Sequence, residues 1–300
     1  MIGCYTMSAA EYHRDPCPTP SLSASIAREL LASSPLHAWW ASPLNPERVE
    51  EEAERFDIGT AAHAYILEGS EAFVIIEADD WRTKKAREDR DAARLAGKVP
   101  LLAARWADVR TMATTIRARL AQHGAPIPFT VGTPEQVLVW QEGDVWCRAR
   151  LDWLHDDHRT VDDLKTTGAT ANPAVWTRGA LYSSGYDIQA AFYLRGVQRV
   201  FGVEAEFRFV IAETSPPYAV SVVGLGPEAM ALAEKKVRAA IETWHACLVT
   251  GAWPGYPTRT CWADLPSWEE TRWMEREYRD AAPVVDDGRP FKAQMFGRVG

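Results

Sequence analysis

Three stretches in the middle of the chain, residues 135–141, 145–154 and 160–166, mix apolar and polar side chains in near alternation. Successive side chains on a strand point to opposite faces, so a period of two predicts three strands. His-Asp-Asp-His-Arg at 155–159 has the length and polarity of a hairpin loop between the second and third. Further strands are expected at 73–77 and on either side of a Ser-Pro-Pro turn, at 205–213 and 218–223. Elsewhere the period is helical. Ile26, Leu30 and Leu31 fall on one stripe behind capping serines, which predicts a helix over 21–33. Longer helices are expected at 46–69 with a break near Gly59, and at 81–97, 101–123, 173–182, 186–201 and 226–249, with a last one at 267–279. Gly202 reads as the stop of the 186–201 helix. Central strands with helices before and after predict an α/β fold, a mixed central sheet flanked by helices. Residues 1–20 are proline-rich and expected to be a flexible segment. Residues 21–250 are expected to form a single domain and 251–300 a Pro/Trp-rich extension.

Composition narrows the classes. Three hundred residues, 47% hydrophobic and 25% charged, can bury a large core. The net charge of −8 advertises no general affinity for polyanions. A local basic groove would still suffice to track a phosphate backbone. Five cysteines at 4, 17, 147, 247 and 261 form no close pair, which argues against a disulfide framework or a zinc site. No apolar run has the length of a membrane span. The N-terminus has neither the charged start nor the apolar core of a signal peptide, so a reducing, cytoplasmic setting is expected.

The candidate chemistry lies between Arg148 and Tyr193. Period-two geometry places Arg148, Arg150 and Asp152 on one face of their strand, and Cys147, Ala149, Leu151 and Trp153 on the other. On the next strand Val161, Asp163 and Lys165 share a face. Two carboxylates and a lysine then converge, and carboxylates with water suit hard divalent ions such as Mg²⁺. Burial and nearby cations lower a lysine pKa and carboxylates raise it, and sequence alone does not sign the sum. Asp162 faces away from Lys165 and is expected to cap the surface or to partner Arg148 or Arg150. Gln189 and Tyr193 are four apart on a helix and share its face. Arg82, Lys84, Lys85, Arg87 and Arg90 form the densest basic patch, interspersed with acids.

This ordered set resembles the PD-(D/E)XK nucleases, and within them the phage and prophage RecE-like (exodeoxyribonuclease VIII-like) exonucleases. Asp152 matches the first acid of the motif and Asp163-Leu164-Lys165 its D-x-K. Gln189 to Tyr193 matches a following Q-x-x-x-Y, and Gly59-Thr60-Ala61-Ala62-His63 an upstream G-T-x-x-H. The resemblance spans about residues 12–218. It implies a restriction-endonuclease-like nuclease core with N-terminal helices around its mouth. It also implies one or two Mg²⁺ or Mn²⁺ ions held by Asp152, Asp163, the Leu164 carbonyl, Glu135 and His63. Lys165 would orient the attacking water, and Gln189 and Tyr193 would complete the catalytic set. Arg82, Lys84, Lys85, Thr166 and Arg178 would be the DNA contacts. Some relatives carry an iron–sulfur cluster on four cysteines, and the spacing here leads us to expect none. The implied activity is resection of linear double-stranded DNA from an end, 5′ to 3′, for a single-strand annealing protein. A homo-oligomeric ring and a phage or prophage origin go with it. Two alternatives remain open at this point: a structure-specific or single-strand nuclease of repair or CRISPR adaptation, and a catalytically silent DNA-binding or assembly subunit.

Overall fold

The structure, a computed structural model, describes residues 1–48, 58–69 and 73–281, with the side chains of 58–60 and 280–281 excepted. Two compact units divide at Gly255. In the first, the strands are β1 (Gly3–Thr6), β2 (Leu22–Ser23), β3 (Phe73–Ile76), β4 (Val99–Leu102), β5 (Gly132–Glu142), β6 (Val145–His155), β7 (Thr160–Thr167), β8 (Glu206–Glu213) and β9 (Val220–Gly224). Its helices are α1 (Ala9–His13), α2 (Ala24–Ala32), α3 (Pro35–Ala41), α4 (Ile58–Glu68), α5 (Lys84–Leu95), α6 (Ala103–Leu120), α7 (Pro173–Arg178), α8 (Ala180–Ser183), α9 (Tyr186–Phe201) and α10 (Pro227–Thr250). The second unit carries one described helix, α11 (Ser267–Ala281), with Trp268, Trp273 and Tyr278 exposed.

The central sheet runs β1-β5-β6-β7-β8-β9, with β2 also on β6. It is mixed: β7 pairs parallel with β8, and β5–β6, β6–β7 and β8–β9 are antiparallel. One core lies on the face of Val161, Phe207 and Phe209 under α2, α9 and α10. A second lies on the face of Leu164 and Val210 under α4 and α6. Helix α9 comes close to the sheet at Gly196, where an added Cβ would stand 2.8 Å from the Trp140 ring. That close approach sets the depth at which α9 offers Gln189 to the strands. The helix ends at Gly202 with φ 72°, as its sequence predicts.

Three expectations need correction. Residues 1–20 are structured: β1 pairs with β5, and Tyr12 of α1 is buried. The buried Arg148 guanidinium explains this order. It meets Asp15 at 3.0 Å, donates to the Ser21 carbonyl at 3.0 Å and lies over the Tyr12 ring. Residues 99–102, placed partly in a helix by their pattern, form β4 in a separate parallel pair with β3. The alternation on β6 also slips by one residue. Leu151 and Leu154 both join the first core, and Trp153 joins the second. The slip falls at Asp152, across the ladder from Glu135, whose φ of 57° is far from extended. The expected helix over 46–69 is described only as α4, and 49–57 lie outside the described residues.

Candidate active site

Strand β6 lends its free edge to two partners. Strand β2 takes Cys147 and Arg148, and β7 takes Trp153 and Leu154. Between them the edge is open, because β7 turns away to pair along its whole length with β8. A cavity of about 320 Å³ adjoins this gap. Among its lining side chains are Tyr12, Arg28, His63, Glu135, Arg150, Asp152, Lys165, Gln189 and Tyr193.

The register aligns three acids. Pro134↔Trp153 and Gln136↔Leu151 bracket Glu135 opposite Asp152. Trp153↔Asp162 and Leu154↔Val161, carried one step further, bring Asp152 opposite Asp163. Three carboxylates therefore stand in one row across three strands. The parting of β6 and β7 frees the Leu164 N–H, which donates to Asp152 Oδ2 at 2.8 Å. His63, on α4, places Nε2 3.0 Å from the same oxygen. Burial works against ionisation of Asp152, but the His63 charge and hydrogen bond, Lys165 and the Leu164 N–H hold its pKa below the usual value. Burial is the largest influence on His63 and opposes its protonation, but the Asp152 charge and hydrogen bond together with the Glu135 and Asp163 charges outweigh it, so the imidazole pKa is raised.

Asp163 has no solvent exposure. One oxygen meets the Lys165 ammonium and the other accepts from Gln189 Nε2 at 2.6 Å. Burial pushes its pKa up to about 6, Lys165 opposes this, and the Asp152 charge adds to it. The Lys165 shift now has a sign. Burial pulls it down, Asp163 and Asp152 pull it up more, and the result is a raised pKa. The ammonium also sits 4.9 Å from the centre of the Tyr186 ring. Glu135 pairs with Arg150 at 2.8 Å. Burial raises its pKa to about 7 against the pull of Arg150. A non-glycine residue at φ 57° inside a strand stores about 1–3 kcal/mol of strain, and such strain gathers at functional sites. Tyr193 is buried, and desolvation keeps its phenol neutral by raising its pKa well above the ordinary value.

The structure thus brings Glu135, Asp152, Asp163, Lys165, Gln189, Tyr193 and His63 together, with Leu164 contributing its backbone. It does not bring the expected basic contacts to the cavity. Arg82 and Lys84 are exposed beside Asp80 and Glu88, at 3.4 and 3.6 Å. Lys85, Thr166 and Arg178 do not line the cavity either, and Arg178 donates to the Ala174 carbonyl within its own helix. The side chains of Gly59 and Thr60 lie outside the described residues. Asp162 is not a surface cap, nor does it partner Arg148 or Arg150. It is buried against Arg208, His155 and the Phe129 N–H, at 2.7, 2.6 and 3.3 Å. The motif reading missed Tyr12 and Arg28 as lining residues, while Arg150 lines the cavity beside Asp152, with which it was expected to share a face. Tyr12 and Arg28 belong to no spaced motif, and the burial of Tyr12 depends on a tertiary partner, Arg148.

The donor set fits a hard divalent ion in its chemistry, with three acids in one row and two of them raised towards neutrality by burial. Among the described residues, however, no three His, Cys, Asp or Glu side chains are arranged as a finished cage. Lys165 and Gln189 occupy Asp163, His63 occupies Asp152, and Arg150 occupies Glu135.

Residues 27–262 match the model of a family described as a PDDEXK-like domain of unknown function (DUF3799). No curated protein matches the chain. Among solved structures, a candidate exonuclease from Eubacterium rectale is 13% identical and superposes with a TM-score of 0.58, over 89% of this chain and 98% of that one. That likeness shows a shared fold. An alkaline exonuclease from Laribacter hongkongensis is 14% identical over 74% of this chain and 93% of its own, with a TM-score of 0.27. A phage-related exonuclease from Haemophilus somnus is 10% identical over 77% and 96%, with a TM-score of 0.31.

Proposed function

The chain belongs to the PDDEXK-like domain family over residues 27–262, and from that premise we propose that it is a metal-dependent deoxyribonuclease acting on linear double-stranded DNA from an end. The observation that carries this reading is the row of Glu135, Asp152 and Asp163 across three strands, with Lys165 beside it at the cavity. The fold is shared with a protein described as an exonuclease, which supports it. Resection from 5′ to 3′, an annealing-protein partner and a ring-shaped assembly complete the proposal and rest on the motif resemblance. The intact acids and lysine weigh against a catalytically silent subunit.

Asp152, Asp163, the Leu164 carbonyl and Glu135 would hold Mg²⁺ or Mn²⁺, with His63 as a nitrogen donor. A bound ion would neutralise charge at the phosphorus and stabilise the leaving oxygen. The rest falls to the chain. Lys165 is kept protonated by two carboxylates. In the metal-free chain it is therefore a hydrogen-bond donor at neutral pH, placed to orient the attacking water and to counter charge on the phosphate. The Gln189 amide fixes Asp163 on one side. The neutral Tyr193 phenol lies one helical turn further along and lines the same cavity.

A digest of end-labelled linear, covalently closed circular and single-stranded DNA tests the proposal, with Mg²⁺, Mn²⁺ or EDTA. Linear duplex is expected to be degraded, the closed circle to survive, and EDTA to stop the reaction. Linearisation of a supercoiled circle would establish an endonuclease instead. Survival of every DNA in both metals would end the nuclease reading.

A further inference from the structure

A second and larger cavity, about 920 Å³, lies between α2, α8, the start of α9 and α10. It shares Ser25, Arg28 and Tyr186 with the cavity at the acids, so the two adjoin across these side chains. Its walls reverse the sign of the whole chain. Arg28, Lys235 and Lys236 line it against a single acid, Glu29, in a protein of net charge −8. Lys236 is tied to the buried Asp187 at 2.6 Å and lies 5.5 Å from the centre of the Tyr182 ring. Arg28 and Lys235 have no ion-pair partner among the described residues. Arg28 is held in place from below. Gly185 has φ 63°, and a Cβ there would stand 2.9 Å from the Arg28 side chain. Tyr182 offers an exposed ring on the cavity wall.

Two cations without an ion-pair partner among the described residues, Arg28 and Lys235, and an exposed aromatic ring in the same cavity are elements that bind single-stranded nucleic acid. The volume lies at the upper end of the roughly 300–1,000 Å³ usual for ligand sites. We propose that this groove holds one DNA strand on its way to or from the acids, with Arg28 at the junction, Lys235 on a phosphate and Tyr182 beside a base. This rests on the nuclease reading for its direction but names a binding surface outside the acids.

The test separates the two readings. Anisotropy of a labelled single-stranded 12-mer, with Ca²⁺ in place of Mg²⁺, measures binding of wild type, Lys235→Glu and Arg238→Glu. Arg238 lies on α10 near Lys235, is exposed and does not line the groove. Lys235→Glu is expected to weaken binding about tenfold and to flatten the salt dependence by roughly 0.7 of a logarithmic unit, one single-strand phosphate contact. Arg238→Glu should change neither. Cleavage of a small thymidine 5′-phosphate aryl ester, which fills only the cavity at the acids, should be equal in wild type and Lys235→Glu. KM for a linear duplex that carries the same 12 nucleotides as a single-stranded tail should rise in Lys235→Glu. Wild type that binds the strand but degrades neither this duplex nor the aryl ester would end the nuclease reading and leave the groove standing. Equal losses in Lys235→Glu and Arg238→Glu, no binding by wild type, or an unchanged KM for the tailed duplex would each overturn the groove.

Discussion

Asp162 and Asp163 are neighbours on β7, and both are fully buried. On the second-core face, Asp162 is enclosed by donors: the Arg208 guanidinium, His155 Nε2 and the Phe129 N–H. Arg208 is in turn fixed by the Pro126 carbonyl at 2.8 Å. The Asp162 charge is answered on every side. Asp163, on the opposite face, has Lys165 and Gln189 but also a like charge, Asp152, in the same row. Its carboxyl is held near neutrality, at about 6. Burial alone therefore does not mark a working acid. The composition of the surroundings does: a closed set of donors makes a structural charge, and a like-charged neighbour beside a cavity leaves a carboxyl whose pKa is raised towards neutral.

The largest effect should come from the open side. Asp163→Ala and Lys165→Ala are each expected to lower DNA cleavage by more than about a thousandfold, some 4 kcal/mol of barrier, while circular dichroism stays that of the wild type. Retention of a tenth of the wild-type rate by either variant would remove that residue from the catalytic set.

The closed side should respond in stability. Asp162→Ala leaves the buried Arg208 with the Pro126 carbonyl and only the exposed Glu206 carboxylate at 3.9 Å, which costs about 3 kcal/mol, or roughly 6–12 °C in Tm for a domain of this size. Activity per folded molecule should persist at low temperature. A Tm within about 2 °C of wild type would show that Asp162 is not the closed structural charge inferred from its partners.

The smallest effect sharpens the contrast through pH. The folded pKa of Asp163, about 6, lies above its unfolded value near 3.8. The folded state therefore binds this proton more tightly, and ionising Asp163 costs stability as pH rises through the folded pKa. In EDTA, Asp163→Asn should melt higher than wild type by a few degrees at about pH 7.5, and the gain should vanish near pH 4. A gain independent of pH would assign the effect to packing. Mn²⁺ should erase it by stabilising only the wild type, since a ligand that binds the native state raises Tm by mass action.

The sequence by itself determined the order of strands and helices through the core, the pairing of Asp163 with Lys165 on one face, and the shared face of Gln189 and Tyr193. Each follows from a short-range period, two on a strand and 3.6 on a helix, that the backbone imposes whatever surrounds it. Tertiary structure decided the rest. The order of residues 1–20 depends on Arg148, more than a hundred positions away, and hydrophobic patterning does not register a salt bridge of that separation. Residues 99–102 form a strand because β3 supplies their hydrogen bonds. Regular alternation put Trp153 on the wrong face, because the kink at Glu135 acts across the ladder on Asp152 and not along the chain. The depth of Asp162 came from Arg208 and His155, which meet it only once β7 and β8 are side by side. The basic residues of α5 were conspicuous in the sequence because they cluster there. Arg28 and Lys235 became neighbours of one groove only when α2 and α10 packed against α9. Charge acts through space, and only the folded chain fixes which charges are near.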